Sequence, residues 1–158
     1  MAIAIWSDDY LTGDPLVDEH HRHIFAVVND LHDAIHDGRG RAALEPTLTK
    51  LWEYTAMHFA VEEQLMEDSG YPDLDAHRRA HWEGRHLASG LMDRYRLGGV
   101  ILPEWLSQDL ARWLVGHICD HDRRMIHWQR ERAAALAAAP GLARPALVLD
   151  EVASSKAG

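Results

Sequence analysis

The chain has 158 residues, of which 47% are hydrophobic, and this length and composition suit one domain with a buried core. Its 25 acidic and 16 basic residues give a formal net charge of −9, which argues against binding to nucleic acids or anionic lipid surfaces. The single cysteine excludes an internal disulfide and a zinc site built from thiolates.

The same composition predicts a cytoplasmic protein, since a chain without disulfides fits a reducing compartment. No apolar run approaches the roughly 20 residues that a membrane helix requires. The first residues also lack the basic segment and long apolar stretch of a secretory signal. We therefore expect no membrane association and no export.

The first dozen residues have no helical periodicity and predict an N-terminal arm. Asp14 and Pro15 then offer a capping side chain and a fixed φ angle for the start of a first helix. One face of this helix is apolar at about 100° per residue, and His21 lies on the same face. The apolar residues are Val17, Ile24, Phe25, Val28, Leu31 and Ile35. The segment Asp37-Gly38-Arg39-Gly40 is expected to end the helix.

Three further helices are predicted by the same signals. The second runs from near Ala42 or Pro46 to Met66, the third from about Leu74 to Tyr95, and the fourth from Pro103 toward Ala139. Trp52 and Leu87 are among the residues expected to face inward. Four long helices with short connections predict an all-α, antiparallel up-down-up-down four-helix bundle over residues 1–139. Residues 140–158 are rich in Ala, Pro and Ser, which predicts a weakly ordered C-terminal tail.

Histidines and carboxylates recur on the predicted helices at spacings that make their side chains point together. Residues i and i+4 differ by about 40° around a helix axis. His58 therefore projects with Glu62, and His77 projects with His81. Together with His21 they predict a buried two-metal centre at the middle of the bundle, where other four-helix bundles hold metal ions.

The fourth helix adds His117 and a second donor that spacing alone does not identify. His121 is four residues on and suits an ideal helix, whereas Asp122 is five residues on and points about 140° away. Asp122 would need a local loosening of the helix to reach the same metal. Imidazole and carboxylate donors are compatible with iron but also with several other metals.

Several segments between residue 6 and about residue 128 share their pattern with a known family. They are Asp18-Glu-His-His21, His58-Phe-Ala-Val-Glu62-Glu-Gln-Leu-Met66, Gly70-Tyr-Pro, His77-Arg-Arg-Ala-His81 and Trp113-Leu-Val-Gly-His117-Ile-Cys-Asp-His-Asp122. In these motifs the chain resembles the hemerythrins, most closely the bacterial single-domain ones. The HxxxxD motif of that family favours Asp122 over His121 as the second donor.

The resemblance implies a non-haem di-iron centre, with an oxo or hydroxo bridge, that binds O₂ reversibly. In the family pattern one iron is held by three histidines, which are here His77, His81 and His117. The other iron is held by two, here His21 and His58, while Glu62 and Asp122 bridge both. Leu114 matches the family's pocket leucine, and with Trp113 and Phe59 it is expected to line an apolar O₂ pocket.

The predicted function is therefore O₂ binding for carriage, storage, delivery or sensing, and not enzymatic catalysis. The alternatives are a di-iron enzyme that consumes peroxide or nitric oxide, and a redox or oxygen sensor that acts through a partner. Small anions and nitric oxide are further candidate ligands, and the tail is a candidate partner-binding segment.

The remaining polar residues near the motifs receive simpler interpretations. We expect Glu63 to be a solvated neighbour of Glu62, because it points about 100° away from it. His32 is interpreted as a residue at the boundary of the core. The histidines expected at the surface are His20, His23, His36, His86 and His127.

Overall fold

The chain folds into an all-helical bundle. The computed structural model describes residues 2–97 and 104–139. Its helices are α1 (Pro15–His36), α2 (Arg41–Ser69), α3 (Leu74–Arg96), α4 (Glu104–His117) and α5 (Arg123–Ala138), and a π-helix (Ile118–Asp122) joins the last two. α1 and α3 each pack against both α2 and α4. This arrangement confirms the predicted four-helix bundle, with α4, the π-helix and α5 as the fourth column.

The helix ends follow from local sequence. The Asp14 side chain caps α1 by accepting hydrogen bonds from the backbone N–H groups of Leu16 and Val17, with Pro15 in the first turn. α2 extends three residues beyond the predicted end at Met66, because Gly70 adopts a left-handed conformation with φ of 65° and closes the helix there. The predicted start at Pro103 and the predicted tail 140–158 lie outside the described residues.

The N-terminal arm is fastened to α1 and contains a short 3₁₀ helix (Asp8–Tyr10). The Asn29 side-chain oxygen accepts hydrogen bonds from the backbone of Ile3 and Ala4 at 2.9 and 3.0 Å. Further along, the Asp18 carboxylate accepts hydrogen bonds from the backbone N–H and the hydroxyl of Thr12, both at 2.8 Å. Two side chains of α1 therefore hold the arm at separate points.

Two apolar clusters lie above and below a polar layer. The smaller one consists of Val17, Met66, Tyr71, Met125 and Ile126. The larger one extends along the other half of the bundle, from Ile24 to Leu44 and Leu110. Between them, the buried face of α1 carries His21 and that of α2 carries His58 and Glu62. The fold thus places apolar packing on both sides of a layer of donors.

Two residues expected inside are partly exposed. Trp52 is 41% exposed and Leu87 is 39% exposed. Each lies one position, or about 100°, from a residue that faces the core, Leu51 and Ala88 respectively. The buried stripe of each helix is narrower than the sequence pattern suggested. No helix in residues 2–97 and 104–139 is both long and apolar enough to cross a membrane.

Candidate metal centre

Seven side chains from all four helical columns meet at the polar layer. Their donor atoms form two groups, and within each group the atoms lie within 4.8 Å of one another. The first group is Glu62, His77, His81, His117 and Asp122, and the second is His21, His58, Glu62 and Asp122. All seven residues are buried. The structure therefore brings together every predicted donor, with the two carboxylates common to both groups.

The carboxylates stand at the centre of the cluster. Asp122 Oδ1 lies 3.1 Å from His77 Nε2 and 3.0 Å from His117 Nε2. Its other oxygen lies 3.1 Å from His21 Nε2. Asp122 thus links α1, α3 and α4. Glu62 Oε2 lies 3.1 Å from His81 Nε2, so Glu62 connects α2 to α3.

The π-helix explains how Asp122 enters the cluster. An α-helix would place residues 117 and 122 about 140° apart. In the segment Ile118–Asp122 the backbone is wider, and Arg123 N–H donates to the carbonyl of Ile118, five residues earlier. His121 instead stacks its ring on that of His117, with ring centroids 5.1 Å apart, and it is in neither donor group.

The residues present fit metal ions. Within the described chain, both ring nitrogens of His21, His77 and His117 and both oxygens of Asp122 are buried without a hydrogen-bond partner. Such groups are costly unless something compensates them. Donors at right angles around a metal with bonds of about 2.1 Å are roughly 3 Å apart, and the nitrogen–oxygen distances of the cluster match this spacing. Two metal ions would satisfy all of the orphaned donors that face the layer.

Burial and neighbouring charges shift the pKa values of the layer's side chains in opposite directions. Burial lowers the pKa of His58 to about 4. Burial also acts to lower the pKa of His77, but the nearby carboxylates of Asp122 and Glu62 outweigh it and raise that pKa to about 9. Burial opposes ionisation of Asp122, yet the surrounding histidines lower its pKa well below the usual value. Burial and Asp122 likewise oppose ionisation of Glu62, but His58, His77 and His81 outweigh them and lower its pKa to about 2. Both carboxylates are thus held in the ionised form that metals bind.

An apolar cavity lies one helical turn from the donors. On each column a lining residue stands three positions from a donor histidine, about 4.5 Å along the axis. These residues are Ile24, Thr55, Gly84 and Leu114, and Phe59 and Trp113 also line the cavity. The volume open to the centre of a water-sized sphere is about 10 Å³, close to the smallest space that holds one water. The cavity suits a very small, apolar molecule.

A family model for the hemerythrin HHE cation binding domain matches residues 12–128 of this chain. The chain belongs to the hemerythrin family. Bacteriohemerythrin from Pseudomonas aeruginosa (strain LESB58) is 38% identical over 122 residues, which cover 77% of this chain and 78% of the relative. Bacteriohemerythrin from Methylococcus capsulatus (Bath) is 31% identical over 124 residues, which cover 78% of this chain and 94% of the relative.

Solved hemerythrin structures have the same fold. A crystal structure of wild-type hemerythrin superposes with a TM-score of 0.71 at 30% identity and covers 76% of this chain and 92% of that chain. A hemerythrin variant with a leucine-to-tyrosine substitution gives a TM-score of 0.75 at 28% identity and covers 82% and 98%. The resemblance inferred from the sequence motifs is confirmed.

One residue of this hemerythrin domain was misjudged from the sequence. Glu63 is not a solvated neighbour, because its carboxylate is only 20% exposed and accepts a hydrogen bond from His81 Nδ1 at 2.9 Å. Burial raises its pKa, but the His81 contact and the nearby Arg85 and Arg78 outweigh burial and lower it. The sequence signal was the pair of arginines one turn either side of His81 on α3.

A second correction concerns the histidines outside the donor groups. His20 was expected at the surface but is only 8% exposed, because Tyr54 and His58 on α2 cover its ring. His32 is also buried and its Nδ1 lies 3.0 Å from the Ser107 hydroxyl. His23 is half-buried on Tyr54. The remaining three, His36, His86 and His127, are exposed as expected.

Proposed function

We propose that this hemerythrin-family chain binds O₂ reversibly at a di-iron centre. One iron would be held by His77, His81 and His117, the other by His21 and His58, and both by Glu62 and Asp122. When two ferrous ions are bound, the pair supplies the electrons that reversible O₂ binding requires. The protein's part is to hold the irons, exclude water and leave room for the ligand.

The unequal division of donors carries this proposal. One group contains three imidazoles and two carboxylates, whereas the other contains two imidazoles and the same two carboxylates. With equal sharing of the carboxylates, the second position has one protein donor fewer. A small exogenous ligand would complete that position without displacing a side chain.

The cavity beside the donors supports a gaseous ligand. Its walls include Phe59, which is 1% exposed, and Leu114, which is 3% exposed. Apolar walls of this kind provide no hydrogen bonds to water, and their small volume excludes larger molecules. Leu114 is three residues before His117, so the two side chains lie on the same face of the helix. The wall of the cavity is therefore adjacent to the donor layer.

The donor composition favours binding over enzymatic oxidation. Five neutral imidazoles and two carboxylates provide less negative charge than a carboxylate-rich site would. High-valent iron is therefore stabilised less here, and returning O₂ unchanged is the more favourable outcome. We infer a binding protein for carriage, storage, delivery or sensing.

Loading with iron and cycling O₂ test the proposal. The metal-free chain would be reconstituted with Fe(II) under argon, desalted, and assayed for iron before O₂ is added. We expect one iron for each of the two donor groups and a visible absorption band that appears with O₂ and fades under argon over repeated cycles. An irreversible ferric spectrum after the first exposure would overturn reversible binding. Continuous O₂ consumption with an added electron donor would instead indicate a di-iron enzyme.

A further inference from the structure

Glu63 is adjacent in sequence to Glu62 but contacts a different edge of the donor layer. Its Oε1 lies 2.9 Å from His81 Nδ1, while Glu62 Oε2 lies 3.1 Å from the Nε2 of the same ring. The two carboxylates therefore contact the two different nitrogens of one imidazole ring. The His81 side chain between them is fully buried.

Two arginines hold the Glu63 carboxylate in place. Arg85 donates to Oε1 at 3.1 Å, and Arg78 Nε lies 3.4 Å from Oε2 and donates to it. Arg78 also donates to Glu67, one turn further along α2. The position of Glu63 is thus set by α3 as well as by its own helix.

The face of the His81 ring is fixed by a second support. Phe59 stacks on it with ring centroids 4.1 Å apart and an angle of 15° between the planes. The guanidinium carbon of Arg85 lies 5.4 Å from the centre of the Phe59 ring on α2. His81 is consequently held at one edge by Glu63 and on one face by Phe59, and Arg85 contacts both supports.

A histidine that binds a metal through Nε2 must carry its hydrogen on Nδ1. A carboxylate that accepts this hydrogen selects the correct tautomer, fixes the ring plane and makes Nε2 a stronger donor. We propose that Glu63 is the positioning residue of the centre, and that it orients His81 and slows the loss of the iron that His81 holds. The inference rests on the proposed di-iron centre.

A purely structural role would give a different result. If Glu63 served only to join α2 to α3 through Arg78 and Arg85, its removal would lower the stability of the metal-free and iron-loaded chains equally. If it positions His81, its removal weakens the loaded chain more. The melting temperatures of the two forms of each variant therefore separate these roles.

The test compares Glu63→Ala and Glu63→Gln with the matched control Glu67→Gln. Glu67 also accepts from Arg78, but it lies on the exposed side of α2, and among the described residues its hydrogen bonds and ion pairs do not include His81. Each chain would be loaded with Fe(II) under argon and mixed with excess chelator, and iron release would be followed over time. Removal of an outer-sphere partner of this kind typically costs about 10- to 100-fold in metal affinity.

We expect iron release from Glu63→Ala to be about 10- to 100-fold faster than from the parent. Glu63→Gln should be intermediate, since its amide oxygen still accepts the hydrogen, and Glu67→Gln should match the parent. Equal release rates for the parent and Glu63→Ala would overturn the role of Glu63, as would an equal loss of melting temperature with and without iron. Failure of the parent to hold two irons would overturn the ligand assignment itself and with it this inference.

A spectroscopic readout independent of iron reports on His81 directly. In the parent loaded with Zn(II), which is diamagnetic, ¹⁵N-edited proton NMR should show a slowly exchanging imidazole N–H for His81. This resonance should persist in Glu67→Gln and disappear in Glu63→Ala. Its persistence in Glu63→Ala would also overturn the proposal.

Discussion

The two halves of the centre are supported differently. In the three-histidine half, Glu63 accepts from His81, and the His117 ring lies between the rings of Trp113 and His121 at 4.7 and 5.1 Å. In the two-histidine half, His21 and His58 meet edge to face at 4.8 Å. Within the described residues the Nδ1 atoms of both lack a hydrogen-bond partner, as do those of His77 and His117, whereas Nδ1 of His81 is held by Glu63.

This difference suggests that one half of the centre mainly holds its metal and that the other half admits the ligand. An imidazole whose Nδ1 is anchored, as that of His81 is, loses little freedom when it binds a metal. A half with fewer donors accommodates an additional ligand more readily. Under the proposed function, the three-histidine half is the anchor of the centre and the two-histidine half is its working side.

The largest effect is expected when one imidazole is removed from either half of the centre in turn. His117→Ala and His58→Ala should each lower the iron content from two per chain toward one, since each removes a donor from only one of the two groups. Iron and protein would be quantified after anaerobic loading and desalting. His86→Ala, at an exposed histidine, is the control and should load like the parent. Full occupancy in either donor variant would contradict the ligand assignment.

Raising the pH should strengthen metal binding, with His77 as a principal cause. The pKa of His77 in the metal-free chain is about 9, above the value near 6.5 of an unfolded histidine. Its protonated contacts therefore stabilise the metal-free fold below about pH 6.5, and this stability is lost as the pH rises toward 9. A metal must displace the same proton, so the gap in melting temperature between loaded and metal-free chains should widen over that range.

Calorimetry provides a second measurement of the same effect. Titration of Zn(II) at pH 7.5 in buffers with different ionisation enthalpies should reveal proton release, and the release should diminish above pH 9. A melting-temperature gap that is constant from pH 6.5 to 9, with no proton release, would show that His77 does not exchange a proton for a metal.

Leu114 tests the admission of a ligand through the cavity beside the centre. Leu114→Ala enlarges the cavity and Leu114→Asn adds a polar group that can recruit water. Both variants should keep their irons, but the O₂-dependent absorption band should decay to the ferric spectrum faster than in the parent, the polar variant at least as fast. Leu48→Ala is the control, because Leu48 is equally buried but does not line the cavity. It should lose about 2–5 kcal/mol of stability with no faster decay.

Gly84 provides a milder test, on the anchored side. A Cβ atom at this position would collide with the indole of Trp113, which stacks on His117. Gly84→Ala should therefore cost about 1–3 kcal/mol from overpacking and speed iron release slightly. Gly90→Ala on the same helix meets no atom within 4 Å and should stabilise the chain by roughly 0.5–1 kcal/mol. If both substitutions stabilised the chain, the packing of the Trp113 indole would not depend on a glycine at position 84.

Much of the bundle was predictable because helical periodicity and turn residues are local signals. Asp14, Pro15 and Gly70 mark helix ends through their own backbone preferences, and His58 with Glu62 follows from i, i+4 spacing. The contribution of Asp122 was not decided by spacing, because a π-helix departs from the regular period on which spacing arguments depend. The motif of the family supplied that residue, and the local geometry explains it.

The support of the centre could not be predicted in the same way. The sequence predicts that Glu63 and His20 face solvent, because each lies beside the inward stripe of its own helix. Their burial comes from the neighbouring helix, through His81 and Arg85 in one case and Tyr54 in the other. Contacts between helices depend on rotation and height in the bundle, which the sequence of one helix does not specify.

A crystal structure of the Fe(II)-loaded chain, with anomalous diffraction at the iron edge, tests the central claim most directly. We expect two anomalous peaks in the polar layer, one beside His77, His81 and His117 and the other beside His21 and His58. Oxygens of Glu62 and Asp122 should contact both peaks, and Glu63 should contact neither. A single peak, or a peak outside the layer, would contradict a centre with two unequal halves.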